Sequence, residues 1–185
     1  MDSLSLVIAP NPIFKKQADP VLEMTEDIRW QIGAMFDLLY AAKGIGMAAP
    51  MVGVLNRIII VDLQDGQHPK LAMINPEITA VSSDRQTHEE ASLCYPGISA
   101  EVTRPRDITV TYLDEKGDQH TMQASGWFAQ VIQHEIDYLN GKVYLDYLSK
   151  MKRDRLLKKM EKYKVSQDRQ HQHSSHCGPG CGHAH

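Results

Sequence analysis

The sequence predicts an α+β fold: mixed or antiparallel strands packed on one central helix, with a second helix near the C-terminus. Two observations carry this. Phe128, Val131, Ile132, Ile136 and Leu139 recur at the spacing of one helix face. Short apolar runs bounded by Gly, Pro, Asn and Asp, such as those at 57–63 and 110–113, read as strands. At 185 residues, with 42% hydrophobic and 23% charged side chains, the chain suits one globular domain.

Leu4 to Ala9 is a short apolar run stopped by Pro10 and Pro12, a strand or an extended lead-in. Thr25 caps a helix expected over 26–43, with Ile28, Ile32, Met35, Phe36 and Leu39 on its buried stripe. Gly44 is expected to end that helix in the left-handed conformation. The small residues from Gly44 to Gly53 let backbone approach closely. They lack the lysine and hydroxyl of a phosphate loop and the glycine spacing of a dinucleotide fingerprint, so on their own they read as a tight packed crossing. Strands are expected over 57–63 and 71–74, the second closed by Asn75-Pro76, then over 110–113 and 119–124. The helix centred on Gln130 to Tyr138 ends at Asn140-Gly141, and a basic helix follows over 149–164, with Met151, Leu156, Met160 and Tyr163 available to pack.

Charge is unevenly spread. The net charge is −3, yet the segment 150–169 is strongly basic. Such a helix is either a phosphate-facing surface or a solvated lysine-rich face. No apolar run reaches the roughly 18 residues that cross a bilayer, and the N-terminus lacks the positive lead of a signal peptide. Three cysteines make no disulfide framework, so a reducing cytoplasm is expected. From Ser166 the composition shifts to a polar tail, expected to be disordered. Its His176, Cys177, Cys181, His183 and His185 offer ligands for zinc, nickel or copper around a Gly-Pro-Gly spacer.

The chemistry centres on His134-Glu135-x-x-Tyr138. Residues four apart share a helix face, so this is H-E-x-x-H with a phenol in place of the second imidazole. Alone, His134 and Glu135 read first as an ordinary polar pair on a half-buried helix. Three stretches taken together narrow this: 44–53 (GIGMAAPMVG), 90–96 (EASLCYP) and 133–141 (QHEIDYLNG) occur in the order and spacing of the peptide deformylases, and the chain from Leu4 to about Lys164 resembles that family.

The resemblance implies a deformylase-like fold and a pocket for an N-formylmethionyl peptide, with Gly44, Ile45, Gly46 and Arg104 bordering it. In the family a cysteine and both histidines hold a metal. The glutamate moves protons on the metal-bound water, and a glutamine with one backbone N–H holds the oxyanion. Carried over, His134 and Glu135 match. Ser92 stands at the cysteine position, Tyr138 at the second histidine and Met51 at the glutamine; the Leu93 N–H remains. A serine hydroxyl stays protonated near neutrality and tyrosine titrates near 10, so neither ligates as a thiolate or imidazole does. Water without a metal keeps a pKa near 15.7 instead of about 7, and losing an oxyanion donor costs about 10²–10³ in rate. The expectation is a pocket with no metal, hydrolysis lost or much reduced, and peptide binding retained. Two alternatives stand beside it. One is an active enzyme holding iron, nickel or zinc through His134, the Tyr138 phenolate and Cys94; the other is a metal-handling protein acting through its tail. The basic helix resembles the one that docks deformylases on the ribosome, which makes the ribosome and its nascent formyl-Met chain the expected partners.

Overall fold

The computed structural model describes residues 3–174. The tail positions His176, Cys177, Cys181, His183 and His185 lie outside the described residues. The elements in order are helix α1 (Glu26–Ala41), strands β1 (Gly46–Ala48), β2 (Ile58–Val61), β3 (Leu71–Val81), β4 (Arg85–Ala91), β5 (Ser99–Pro105), β6 (Asp107–Leu113) and β7 (Gln119–Ser125), helix α2 (Gly126–Leu139) and helix α3 (Lys150–Ser174). Two antiparallel sheets form, one ordered β1-β2-β3-β6-β7 and the other the β4-β5 pair.

α2 packs against β1, β2, β6 and β7 of the larger sheet and against β4 of the smaller one. It is therefore buried almost all round, polar residues included: Gln130, Gln133, His134 and Glu135 are buried alongside Phe128, Val131, Ile132, Ile136 and Leu139. A helix covered on every side is a core element, and polar groups on it must find partners inside the protein. On α1, Thr25 Oγ1 accepts the Ile28 N–H at 3.3 Å, and Ile32, Met35, Phe36 and Leu39 are buried as the stripe predicted.

Several expectations are corrected. Lys43 (φ 55°), not Gly44, takes the left-handed position after α1. Gly44 is instead required for space, since a Cβ there would come within 2.7 Å of Leu39 Cδ1 and 3.0 Å of Leu93 Cδ1. Asn75-Pro76 does not close a strand. β3 runs through it on a register shift, because the Asn75 side chain accepts the Val21 N–H and donates to the Val21 carbonyl, both at 2.8 Å. Of the two readings of Leu4 to Ala9, the extended lead-in holds: the segment lies outside both sheets, held by N–H groups of Val7 and Ala9 donating to the Met51 and Cys94 carbonyls. On α3, Met160 is buried but Met151 is exposed, and the helix runs to Ser174 rather than ending near Lys164.

Candidate active site

A cavity of about 600 Å³ opens between the two sheets and α2, within the range of small-molecule and peptide sites. It brings together Gly44, Ile45, Gly46, Met51, Ser92, Leu93, His134 and Glu135. Gly46 is where β1 crosses α2: a Cβ there would lie 2.6 Å from Glu135 Oε1 and 3.0 Å from Val131 Cγ1. Only a bare backbone allows that approach.

His134 is held by a buried carboxylate. Its Nδ1 lies 2.7 Å from Glu90 Oε2, while Arg104 Nε and Nη2 donate to Glu90 Oε1 and Oε2 at 2.6 and 3.0 Å. Gln130 donates to Glu90 as well. Burial alone would raise the Glu90 pKa, but the hydrogen bonds from Arg104 and His134 hold it down at about 2. Burial is the largest influence on His134 and works against the imidazolium; the bond to Glu90 and the charges of Glu135 and Glu90 together outweigh it and raise the histidine above its ordinary value. With Nδ1 engaged, Nε2 is the nitrogen left for the cavity.

Glu135 has no such support. Its Oε2 is buried and makes no hydrogen bond among the described residues. Burial pushes its pKa up to about 7, which places it between acid and carboxylate at neutral pH. Among the described residues it is the buried polar side chain left without a hydrogen-bond partner.

The two altered ligand positions satisfy each other. Ser92 Oγ and Tyr138 Oη are 2.7 Å apart, and Ser92 Oγ also accepts the Cys94 N–H at 3.2 Å. Tyr138 is fully buried, packs edge-on against Phe14 and does not line the cavity; burial drives its phenol well above 10. Met51 is buried with its sulfur 3.3 Å from the Ala48 N–H, so the oxyanion-glutamine position now holds an acceptor. Among the described residues, no group of three or more His, Cys, Asp or Glu side chains could hold a metal ion. One imidazole, a protonated alcohol and a protonated phenol already bonded to each other do not fit a divalent cation.

The rearranged ligand set fails on geometry. Residues 92–97 form a turn, with the Tyr95 N–H donating to the Ser92 carbonyl at 3.0 Å, so Cys94 is not on an extended segment beside Ser92. Its thiol is fully buried, is absent from the cavity lining, and is pushed by burial up to about 12. Arg104 also differs from expectation. It does not border the cavity but stands behind it, gripping Glu90 and donating through Nη1 to Asp137 and Tyr147 at 2.7 and 2.9 Å.

Sequence reasoning missed Glu90, Gln130, Trp127 and Tyr163 as neighbours of the site. A signal for Glu90 was present: in an extended segment it points the same way as Ser92, two residues on. The cavity is also flanked by two sheet edges, β1 at the end of the larger sheet and β4, which among the described residues pairs with β5 alone. Such edges accept an extended peptide as an added strand.

A family model described as polypeptide deformylase matches residues 3–154. A peptide deformylase-like protein of Rickettsia conorii is 46% identical over 173 residues, covering 93% of this chain and 94% of its own. A peptide deformylase of Wolbachia pipientis is 41% identical over 174 residues, covering 89% of this chain and 97% of its own. The crystal structure of a peptide deformylase from Legionella pneumophila superposes with a TM-score of 0.85 at 34% identity, covering 91% of this chain and 99% of that one.

Proposed function

We propose that this chain, which belongs to the peptide deformylase family, is a member that binds N-formylmethionyl peptides without hydrolysing them. The Ser92–Tyr138 hydrogen bond carries the reading: two positions that would grip a metal are turned towards one another instead. No activated hydroxide is then on hand, and Glu135 cannot by itself replace one. Met51, a hydrogen-bond acceptor, adds nothing to a developing oxyanion.

Binding needs none of these. A peptide backbone laid between β1 and β4 pairs with their open edges, and the acid form of Glu135 donates to the formyl oxygen. The apolar wall of Ile45, Leu93 and Val131 receives the methionine side chain. No helix among the described residues is long and apolar enough to cross a membrane. We place the encounter in the cytoplasm at the ribosome, where formylated chains emerge.

A restoration series tests the reading. Protein truncated after Ser174 is expected to hold no stoichiometric metal and to leave formyl-Met peptides intact. Met51→Gln, Ser92→Cys and Tyr138→His are expected to restore metal and turnover only when combined. Turnover by the unaltered protein that tracks added Fe(II), Ni(II) or Zn(II) would overturn the proposal.

A further inference from the structure

We propose that Tyr163, on α3, is a specificity-determining residue of this cavity, contacting the formyl peptide beyond its first residue; the inference rests on the peptide-binding reading above. Among the described residues, Tyr163 is the one residue of α3 in the cavity wall, and it reaches that wall over Gly97. The contact is tight. A Cβ built on Gly97 (φ 75°) would lie 2.7 Å from Cδ2 of the Tyr163 ring, so a bare backbone is what admits the aromatic there. The two residues are distant in sequence and belong to different elements, and the sequence gives no motif that joins them.

The ring is placed to meet a ligand. Tyr163 is 40% exposed, as is Trp127, the first side chain of α2, which also lines the cavity. Both rings are open to solvent, whereas His134 and Glu135 are buried. A formyl group directed at Glu135 therefore leaves later residues of the peptide to the exposed part of the wall, where Tyr163 and Trp127 stand. Half-exposed aromatic faces recognise apolar or aromatic side chains, and they do so at low entropic cost. α3 is anchored next to this point: Met160 is buried and Lys164 donates to the Ala9 carbonyl at 3.2 Å, so the ring is held rather than free to swing.

Calorimetric titration with two probes separates the roles. Formyl-Met amide reaches only the first residue; formyl-Met-Leu-Phe extends past it. Tyr163→Leu keeps an apolar contact on Gly97, and Tyr163→Phe keeps the ring; thermal midpoints report folding for both. Tyr163→Leu is expected to weaken the tripeptide about five- to tenfold while leaving the amide unchanged, and Tyr163→Phe to bind both probes as the parent does. Equal weakening of both probes, or no weakening of either, would overturn the assignment to Tyr163 alone. If the parent protein binds neither probe, the formyl-peptide reading itself falls, and this inference with it.

Discussion

Glu135 is the residue whose energetics are least settled by its neighbours. Its carboxyl rises from an ordinary 4.5 to about 7 through burial. A raised folded pKa means that the stabilising share is fully present below 4.5 and is lost as pH climbs through about 7. Ionising an unpartnered buried carboxyl thus costs on the order of 3 kcal/mol above neutrality. Glu135→Gln keeps the shape and never ionises. It is expected to exceed the parent protein by about 1–3 kcal/mol in urea unfolding at about pH 8, with the advantage shrinking at about pH 5. An equal difference at both pH values would show that the carboxylate finds a partner in solution. What the sequence disclosed at this scale was identity: a serine, a tyrosine and a methionine at 92, 138 and 51, where the family resemblance implies a cysteine, a histidine and a glutamine. The 2.7 Å bond between Ser92 and Tyr138 was not legible, because they lie far apart in the chain and only the packing of α2 beside the 92–97 turn joins them.

Among the elements, those with a single periodicity were readable. α1 and α2 showed their stripes, and β2, β6 and β7 showed β-rich runs between turn residues. β4 did not. Its sequence, Arg-Gln-Thr-His-Glu-Glu-Ala, has no apolar alternation, because the residue it buries most deeply is Glu90. β5 buries Ala100, Val102 and Arg104, and the inward arginine hides an alternating pattern that is otherwise regular. α3 divides its duties by face. Leu156 and Met160 turn to the core, while Lys150, Arg155, Lys158, Lys159 and Lys162 border one solvent-facing groove. Cations gathered on one face release counterions when they meet phosphate, so association with ribosomes is expected to weaken steeply with salt. Replacing Arg153, Arg155, Lys158 and Lys159 by glutamate should abolish co-sedimentation with ribosomes at physiological salt. Sedimentation unchanged by those four substitutions would reject α3 as the docking element.

At the scale of the whole molecule, one buried charge cluster ties the small sheet to the central helix. Glu90 comes from β4, Arg104 from β5, and Gln130, His134 and Asp137 from α2, with Tyr147 closing the outer side. The small sheet meets α2 through these polar contacts, with Gln130 and Gln133 also donating to the Val102 and Pro105 carbonyls. Removing one partner leaves the others charged and dry, which costs about 3–5 kcal/mol. Arg104→Met fills a similar volume and strands Glu90, so it is expected to destabilise the protein by about that amount near neutral pH. The pH dependence identifies the cause. Glu90 is depressed from 4.5 to about 2, so its stabilising share is present above 4.5 and is lost as pH falls towards 2. Without Arg104 that depression weakens, and the variant's deficit should narrow as the medium is acidified below about pH 4. Adding Glu90→Gln to Arg104→Met should recover part of the loss at neutral pH, since Glu90 is then no longer a buried anion left without its cation. A deficit independent of pH, with no recovery in the double variant, would mean that Arg104 supports the small sheet by packing alone.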